Sequence, residues 1–373
     1  MAVTSYGVGD ALAAKRMAKI LASEALVATE IAPLMGDSAG SIIHIKNEPK
    51  NEGGDQVTFG LRMQLTGDGV TENETLEGNE ESLTTYSDAL LLTEIDHAVR
   101  VKGKNTIDNQ RILFDTQREA RAGLKDWYAK RISVGFFQHV CGYTGASYTH
   151  RSMTVDRAKA VYNLGNTTTT PTANRRLWAA AGAGESNTAD ENLESDDVFD
   201  LRLIDYAKEL ARTTSPPIRP VNIDGMETYV AYLHPYQVVD LRTDTSTGQW
   251  MDFSKTAYTG RGKDNPIFTG ALGMYNGVVL RESEDVTPGV NSSTSASIST
   301  VRRAVFLGAQ AAAIAFGTDF NPGAGAYKWV EETFDYQREL GVSVQCLMGL
   351  TKCVFNSVDF GTVTMSSYAA VHS

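Results

Sequence analysis

The sequence is short of the residues that most often carry chemistry. Its 373 residues include three cysteines, Cys141, Cys346 and Cys353, and six histidines. The odd cysteine count and the lack of a CxxC pair argue against a disulfide framework and against a zinc site. The expectation is buried thiols in a reducing cytoplasm. His44, His97, His139, His150, His234 and His372 are scattered, with none in the i,i+4 pattern of a zinc hydrolase. No run of 18 apolar residues exists, so no membrane span is expected. Lys15, Arg16 and Lys19 interrupt what would have to be the apolar core of a signal peptide. Positive charge is also scarce. Lysine and arginine number 34 against 45 acidic residues, for a net charge of −11. Bulk electrostatics therefore oppose nucleic-acid binding.

What is present is the composition of a folded globular protein, 42% apolar and 21% charged. The length allows two or three domains or one elaborate one. The 33 glycines point to many turns. Asp10 is placed to cap a helix over about 11–31, ended by Pro33 and Gly36, and "SIIHIK" then reads as a short strand. "QVTFGLRMQL" alternates, with Val57, Phe59, Leu61, Met63 and Leu65 on one face. A polar tip follows, carrying Glu72, Glu74, Glu77, Glu80 and Glu81. A second alternating run returns along Leu91, Thr93, Ile95, His97, Val99 and Val101. Residues 55–102 thus read as one two-stranded arm with an acidic tip. A lone hairpin is marginal in water, so its apolar face needs a partner surface.

Residues 107–140 carry the longest helical pattern, with Leu113, Ala120, Leu124, Tyr128, Ile132, Phe136 and Val140 on one stripe. Such a helix is roughly 50 Å long. Residues 142–195 are polar and turn-rich and read as a surface insertion with little regular structure. Asp196 or Asp197 is expected to cap a helix over 198–212. "TYVAYLHP", "GVVLRES" and "RRAVFLGAQAAAIAFG" read as buried strands, "PYQVVDLRTD" as a short helix, and the tail from 327 as sheet again. No internal repeat is visible.

Three motifs invite chemistry. Gly36-Asp-Ser38-Ala-Gly40 fits the G-x-S-x-G elbow of serine hydrolases, with His97 or His234 as candidate base. That elbow needs a strand before the serine and a helix after it; here the order is reversed, and a turn is the simpler reading. "AYTGRGKDN" departs from a phosphate loop at Ala257 and Asp264 and reads as an exposed basic loop through Arg261 and Lys263. The glutamate tip lacks calcium-loop spacing. Its alternatives are a solvated loop or a docking contact with basic residues of a neighbouring copy, such as Arg261 and Lys263.

The stretch "GDQVTFGLRMQLTGDGVTENETLEGNEESLTTYSDALLLTEIDHAVRVKG", the helix "FDTQREARAGLKDWYAKRIS" and "NPIFTGALGMYNGVVLRES" resemble major capsid proteins of tailed bacteriophages. The likeness spans about 10–360 and is greatest to the family typified by an N4-type podophage. It implies the α+β HK-ninety-seven-type capsid fold. The implied parts are an N-terminal arm at 1–50, an extended two-stranded loop at 51–104, and a peripheral domain with spine helix and polar insertion at 105–195. An axial domain at 196–322 and a return to the peripheral sheet at 323–373 complete it. The arm begins too near Met1 to leave room for a fused scaffolding segment.

The resemblance implies a structural subunit that self-assembles, as hexamers and pentamers, into an icosahedral shell around double-stranded DNA held without sequence-specific contacts. Portal, scaffold and decoration proteins are the other expected partners. The location is the virion, with synthesis in the bacterial host cytoplasm. No enzyme activity, cofactor, metal or membrane is expected. The expected inter-subunit contacts are Val57, Phe59, Leu61, Met63, Leu65, Glu72, Glu74, Glu77, Arg261 and Lys263. The alternatives are the hydrolase using Ser38 and another multimeric assembly, such as a tail tube or surface layer.

Overall fold

The computed structural model describes residues 31–46, 54–63, 65–72, 75–102, 107, 111, 115–180, 187–223, 225–244, 273–317, 327–336 and 338–372. The expected helix over 11–31, except Ile31, and the basic loop with Arg261 and Lys263 lie outside these residues.

In chain order the strands that build the molecule are β1 (Ile43–Lys46), β2 (Gln56–Arg62), β3 (Thr85–Leu91), β4 (Thr93–Lys102), β5 (Arg176–Trp178), β6 (Met226–Leu233), β7 (Val278–Glu282), β8 (Ser297–Leu307), β9 (Ala312–Phe316), β10 (Tyr327–Phe334), β11 (Glu339–Lys352) and β12 (Thr362–Tyr368). The main helices are α1 (Thr116–Val140), α2 (Leu201–Thr213) and α3 (Pro235–Thr243). Apart from β2 and β3, which pair only with each other, the strands form two sheets joined by α1.

The first sheet is organised by β11. Along one edge β11 pairs antiparallel with β4, from Thr93↔Met348 to Lys102↔Glu339. Along the other edge it pairs first with β10 and then with β9, and β1 adds beside β9. The second sheet runs β7-β6-β8-β12-β5. β6 is buried on both faces. Val230 and Tyr232 join one core with Val305 and Leu307, while Tyr229, Ala231 and Leu233 join another with Leu201, Ile204 and Phe306. That explains its near-continuous apolar run.

α1 is the spine. Asp115 caps it by accepting from the Gln117 N–H at 3.0 Å. Its stripe Leu124, Tyr128, Ile132, Phe136, Phe137 and Val140 packs on both sheets in a single core. Tyr128 donates to the Ile95 and Val344 carbonyls at 2.8 Å, and Phe137 meets Tyr232 edge-on at 5.3 Å between centroids. Ile107 and Arg111, within the 107–140 span read from periodicity, are helical too, and α1 itself starts at Thr116, after the non-helical Asp115. Its 25 residues span about 37 Å.

Four expectations need correction. First, the arm does not run to 102. β2 pairs with β3 only, from Gln56↔Leu91 to Arg62↔Thr85. β4 belongs to the first sheet, because its alternating face finds α1 and β11 inside the same chain. Second, the stretch 142–195 is packed among its described residues rather than superficial. Tyr143, Tyr148, Val155, Asn166, Thr168, Arg175 and Asp190 are buried. Asn166, Thr168, Arg175 and Asp190 each bond to specific partners, so polarity there signals hydrogen bonding and not exposure. Third, Asp200 caps α2, accepting from the Leu203 N–H at 3.1 Å, while Asp197 serves the Glu194 N–H. Fourth, β9, expected with 196–322, sits in the first sheet, and β12, expected with the peripheral return, lies inside the second. The chain crosses between sheets at Gly308, where a Cβ would lie 2.3 Å from Ile218 Cγ2 and 2.7 Å from the Arg219 carbonyl oxygen. Only glycine allows that approach.

Candidate functional site

The arm formed by β2 and β3 is the part of the fold that projects beyond its own core, and its burial falls along its length. At the base, Val57 is 6% exposed and packs with Leu90, Ala313, Ala315, Cys353 and Phe355. Phe59 is half-buried; it meets Phe355 edge-on at 5.9 Å and lies under the Lys46 ammonium at 4.9 Å. Leu61 and Met63 are half-buried. At Leu65 the exposure reaches 56%, and Leu76 and Leu83 across the distal loop are 65% and 57% exposed. The apolar face read from the alternation is therefore shared. Its first residues cover the chain's own core, and its last ones are bare.

The base is anchored by polar groups too. The Asn166 side chain acts as a short third strand, accepting from the Leu91 N–H and donating to the Leu91 carbonyl, both at 2.9 Å. The Asp88 carboxylate accepts from the Val354 N–H at 3.0 Å. Burial raises the Asp88 pKa, opposed by that bond and by the Ala89 N–H.

The distal loop is ordered from within. Glu81 accepts from the Thr66 and Gly67 N–H groups at 2.8 and 2.7 Å, bridging the two sides of the loop. Those two bonds to the ionised form lower its pKa. Glu80 accepts from the Gly78 N–H at 2.8 Å. Glu72 and Glu77 are exposed; Glu74, Arg261 and Lys263 lie outside the described residues. Between 63 and 84 the sequence holds six acidic residues and no lysine or arginine. The loop thus presents three leucines in a field of one sign, held in shape by its own hydrogen bonds. Leu76 and Leu83 were missed by periodicity because they sit outside the alternating strand. Their signal was simply an apolar side chain within a glutamate-rich loop.

The chemistry motifs do not assemble. Ser38 is exposed in a turn between Met35–Gly36 and β1, with its Oγ 3.0 Å from Ser41 Oγ. Strands stand on both sides of it, not the strand-then-helix of an elbow. His97 stacks on Trp127 at 4.4 Å, and burial lowers its pKa. His234 Nδ1 accepts from the Tyr236 N–H at 3.2 Å and caps α3; burial drives its pKa down to about 3. Among the described residues no group of three or more His, Cys, Asp or Glu side chains could hold a metal ion. Cys141, Cys346 and Cys353 are free and buried, and burial raises each thiol pKa.

The fold and the arm have counterparts in known proteins. The family model described as phage capsid protein matches residues 5–371. The major capsid protein of Pseudomonas phage KPP25 is 28% identical over 351 residues, covering 89% of this chain and 88% of that protein. The capsid of Ralstonia phage GP4 matches with a TM-score of 0.72 and 29% identity, over 91% of this chain and 90% of that one. The capsid protein of Helicobacter pylori bacteriophage KHP30, at 15% identity and a TM-score of 0.61 over 91% of both chains, shares the fold. A chain with this mixed α+β architecture, matched end to end in sequence and in structure, belongs to the phage capsid protein family and is a major capsid subunit with the HK-ninety-seven-type fold, a structural component of the capsid shell.

Proposed function

We propose that this subunit builds its shell by laying the distal loop of its arm on a neighbouring copy, with copies grouped as hexamers and pentamers. The observation that carries this reading is the run of exposed leucines, Leu65, Leu76 and Leu83, on a loop that Glu81 holds in shape. Three exposed leucines on one projecting loop are an unfinished contact. Met63 belongs to this surface, while Val57 and Phe59 set the angle at which the arm leaves the core. Glu72, Glu74 and Glu77 steer it to a basic surface. Each contact is weak, and closure of the shell couples them by effective concentration.

The first sheet with α1 corresponds to the peripheral part of such a subunit and the second sheet to the axial part. The packaged double-stranded DNA is confined without base-specific contact, consistent with a net charge of −11. Portal, scaffold and decoration proteins are the remaining partners, and synthesis is in the cytoplasm of the bacterial host. No catalytic step is assigned to Ser38, whose partner is another serine in an exposed turn.

The test is the triple variant Leu65→Ser, Leu76→Ser, Leu83→Ser, examined by electron microscopy and thermal melting. The expected result is a folded subunit with an unchanged melting temperature and no shells. Normal shells from this variant would sink the role of the loop.

A further inference from the structure

We infer that the pocket between the end of α3 and the approach to α2 is a binding site for an aliphatic polyamine, a short chain carrying more than one ammonium group. The inference stands on side chains around the second sheet and does not depend on the arm.

The pocket has a volume of about 330 Å³ and two polar walls. The last turn of α3 and its C-cap supply Asp240, Thr243 and Asp244. The chain entering α2 supplies Asp196, Asp200 and Arg202, with Val198 as an apolar strip between them. Four carboxylates thus face one guanidinium. That guanidinium is already committed, since Arg202 pairs with Asp200 at 2.6 Å and donates to the Ala180 carbonyl at 3.3 Å. Its bond to Asp200, then the charges of Asp200 and Asp244, raise its pKa, so both walls act on the same space. Arg242, the other cation of α3, falls on the far side of the helix from Asp240 and Asp244 by its spacing. The C-terminal end of α3 adds partial negative charge of its own.

A cluster of carboxylates in water needs no ligand, but Asp240 is not in water. It is 8% exposed, and its Oδ2 is buried with no hydrogen-bond partner. Its Oδ1 lies 3.3 Å from Nε2 of His372, a residue at the exposed end of the chain. Burial pushes the Asp240 pKa up to about 6, opposed by His372. A carboxylate left this way on a pocket wall is completed by a donor that enters the pocket.

The shape of the charge selects the ligand. A divalent metal needs oxygen ligands converging on one point. Among the described residues no three acidic or histidine side chains converge in that way. Here the charge is spread over two walls with an apolar strip between them. An aliphatic chain with an ammonium group for each wall matches that arrangement, with its methylenes over Val198.

The test titrates the soluble full-length subunit with putrescine and with butylamine, its equal in chain length with one ammonium fewer, by calorimetry at low salt. The expected result is one putrescine per chain, bound at least about tenfold tighter than butylamine, the worth of one charge-assisted hydrogen bond. Asp240→Asn, on the α3 wall, is expected to weaken putrescine about tenfold. It is also expected to keep or raise the melting temperature at neutral pH, because it removes a buried charge. Asp196→Asn, on the exposed side of the other wall, is expected to weaken putrescine about threefold with no change in folding. Asp126→Asn, exposed on α1, is expected to change nothing. Putrescine is expected to raise the melting temperature of the wild type and not of Asp240→Asn. Absence of saturable putrescine binding overturns the inference. So does butylamine binding as tightly as putrescine, which would make the pocket a seat for a single ammonium group such as a lysine side chain. Equal weakening by Asp126→Asn and Asp240→Asn would reduce the effect to the net charge of the chain and overturn it as well.

Discussion

The stretch from 142 to 195 and the distal loop from 63 to 84 are both polar and turn-rich in sequence, yet their described residues end in opposite places. The first lies inside. Arg303 pairs with Asp190 at 2.7 Å and donates to the Gly142 carbonyl at 2.7 Å; Trp178 and the Val290 N–H also donate to Asp190. Lys352 pairs with Asp359 at 2.8 Å, and the Thr172 N–H reaches the same carboxylate. Arg175 is buried and donates to the Asp359 and Pro216 carbonyls. This stretch ties the two sheets together with charge. The distal loop carries leucines and lies outside. A polar group goes inside where the fold supplies its partner, and the leucines of the distal loop stay outside where their own chain supplies no cover.

That contrast can be broken at several points. The largest effect is expected for Arg303→Met, which leaves Asp190 buried with its ion-pair partner gone. The loss is about 3–5 kcal/mol and is read as insoluble subunit or a collapse of the melting temperature. Leu90→Ala, at the arm's base, opens a cavity beside Val57 and Phe355 and costs about 2–4 kcal/mol in denaturant unfolding.

His139 gives a pH-dependent case. Its Nε2 is 2.8 Å from the Asn163 carbonyl, and burial holds its pKa at about 4. Between pH 6.5 and 4 the unfolded chain takes a proton that the folded one refuses, so its contribution is full above 6.5 and is lost as pH falls. His139→Gln keeps a donor and does not titrate. It is expected to flatten the acid loss of stability by about 2–3 kcal/mol, measured as unfolding midpoints across that window. Asn166→Ala removes both bonds to Leu91 and is expected to cost about 1–2 kcal/mol while loosening hydrogen-exchange protection at the arm's base. Exchange protection there equal to wild type would contradict the role given to Asn166.

Much of the frame was legible. The four-and-seven spacing from Ala120 to Val140 carried the spine helix, and strict alternation from Val57 carried the arm. What was not legible was pairing. β3 and β4 alternate alike across Leu92, so periodicity has no means of showing that one pairs with β2 and the other with a strand beginning at Glu339. Nor does composition reveal that Asn166 completes a ladder or that Asp190 meets Arg303, since those partners lie 75 and 113 residues away. In the candidate site, the inner half of the apolar stripe was legible as sticky but not as self-satisfied.

The register of β11 also has a mechanical meaning. Its bonds to β4 run crosswise to the strand over ten paired residues. A load along the strand axis meets those bonds in shear, all at once, rather than peeling them one by one. β4 and β11 together therefore form the tension member of the first sheet.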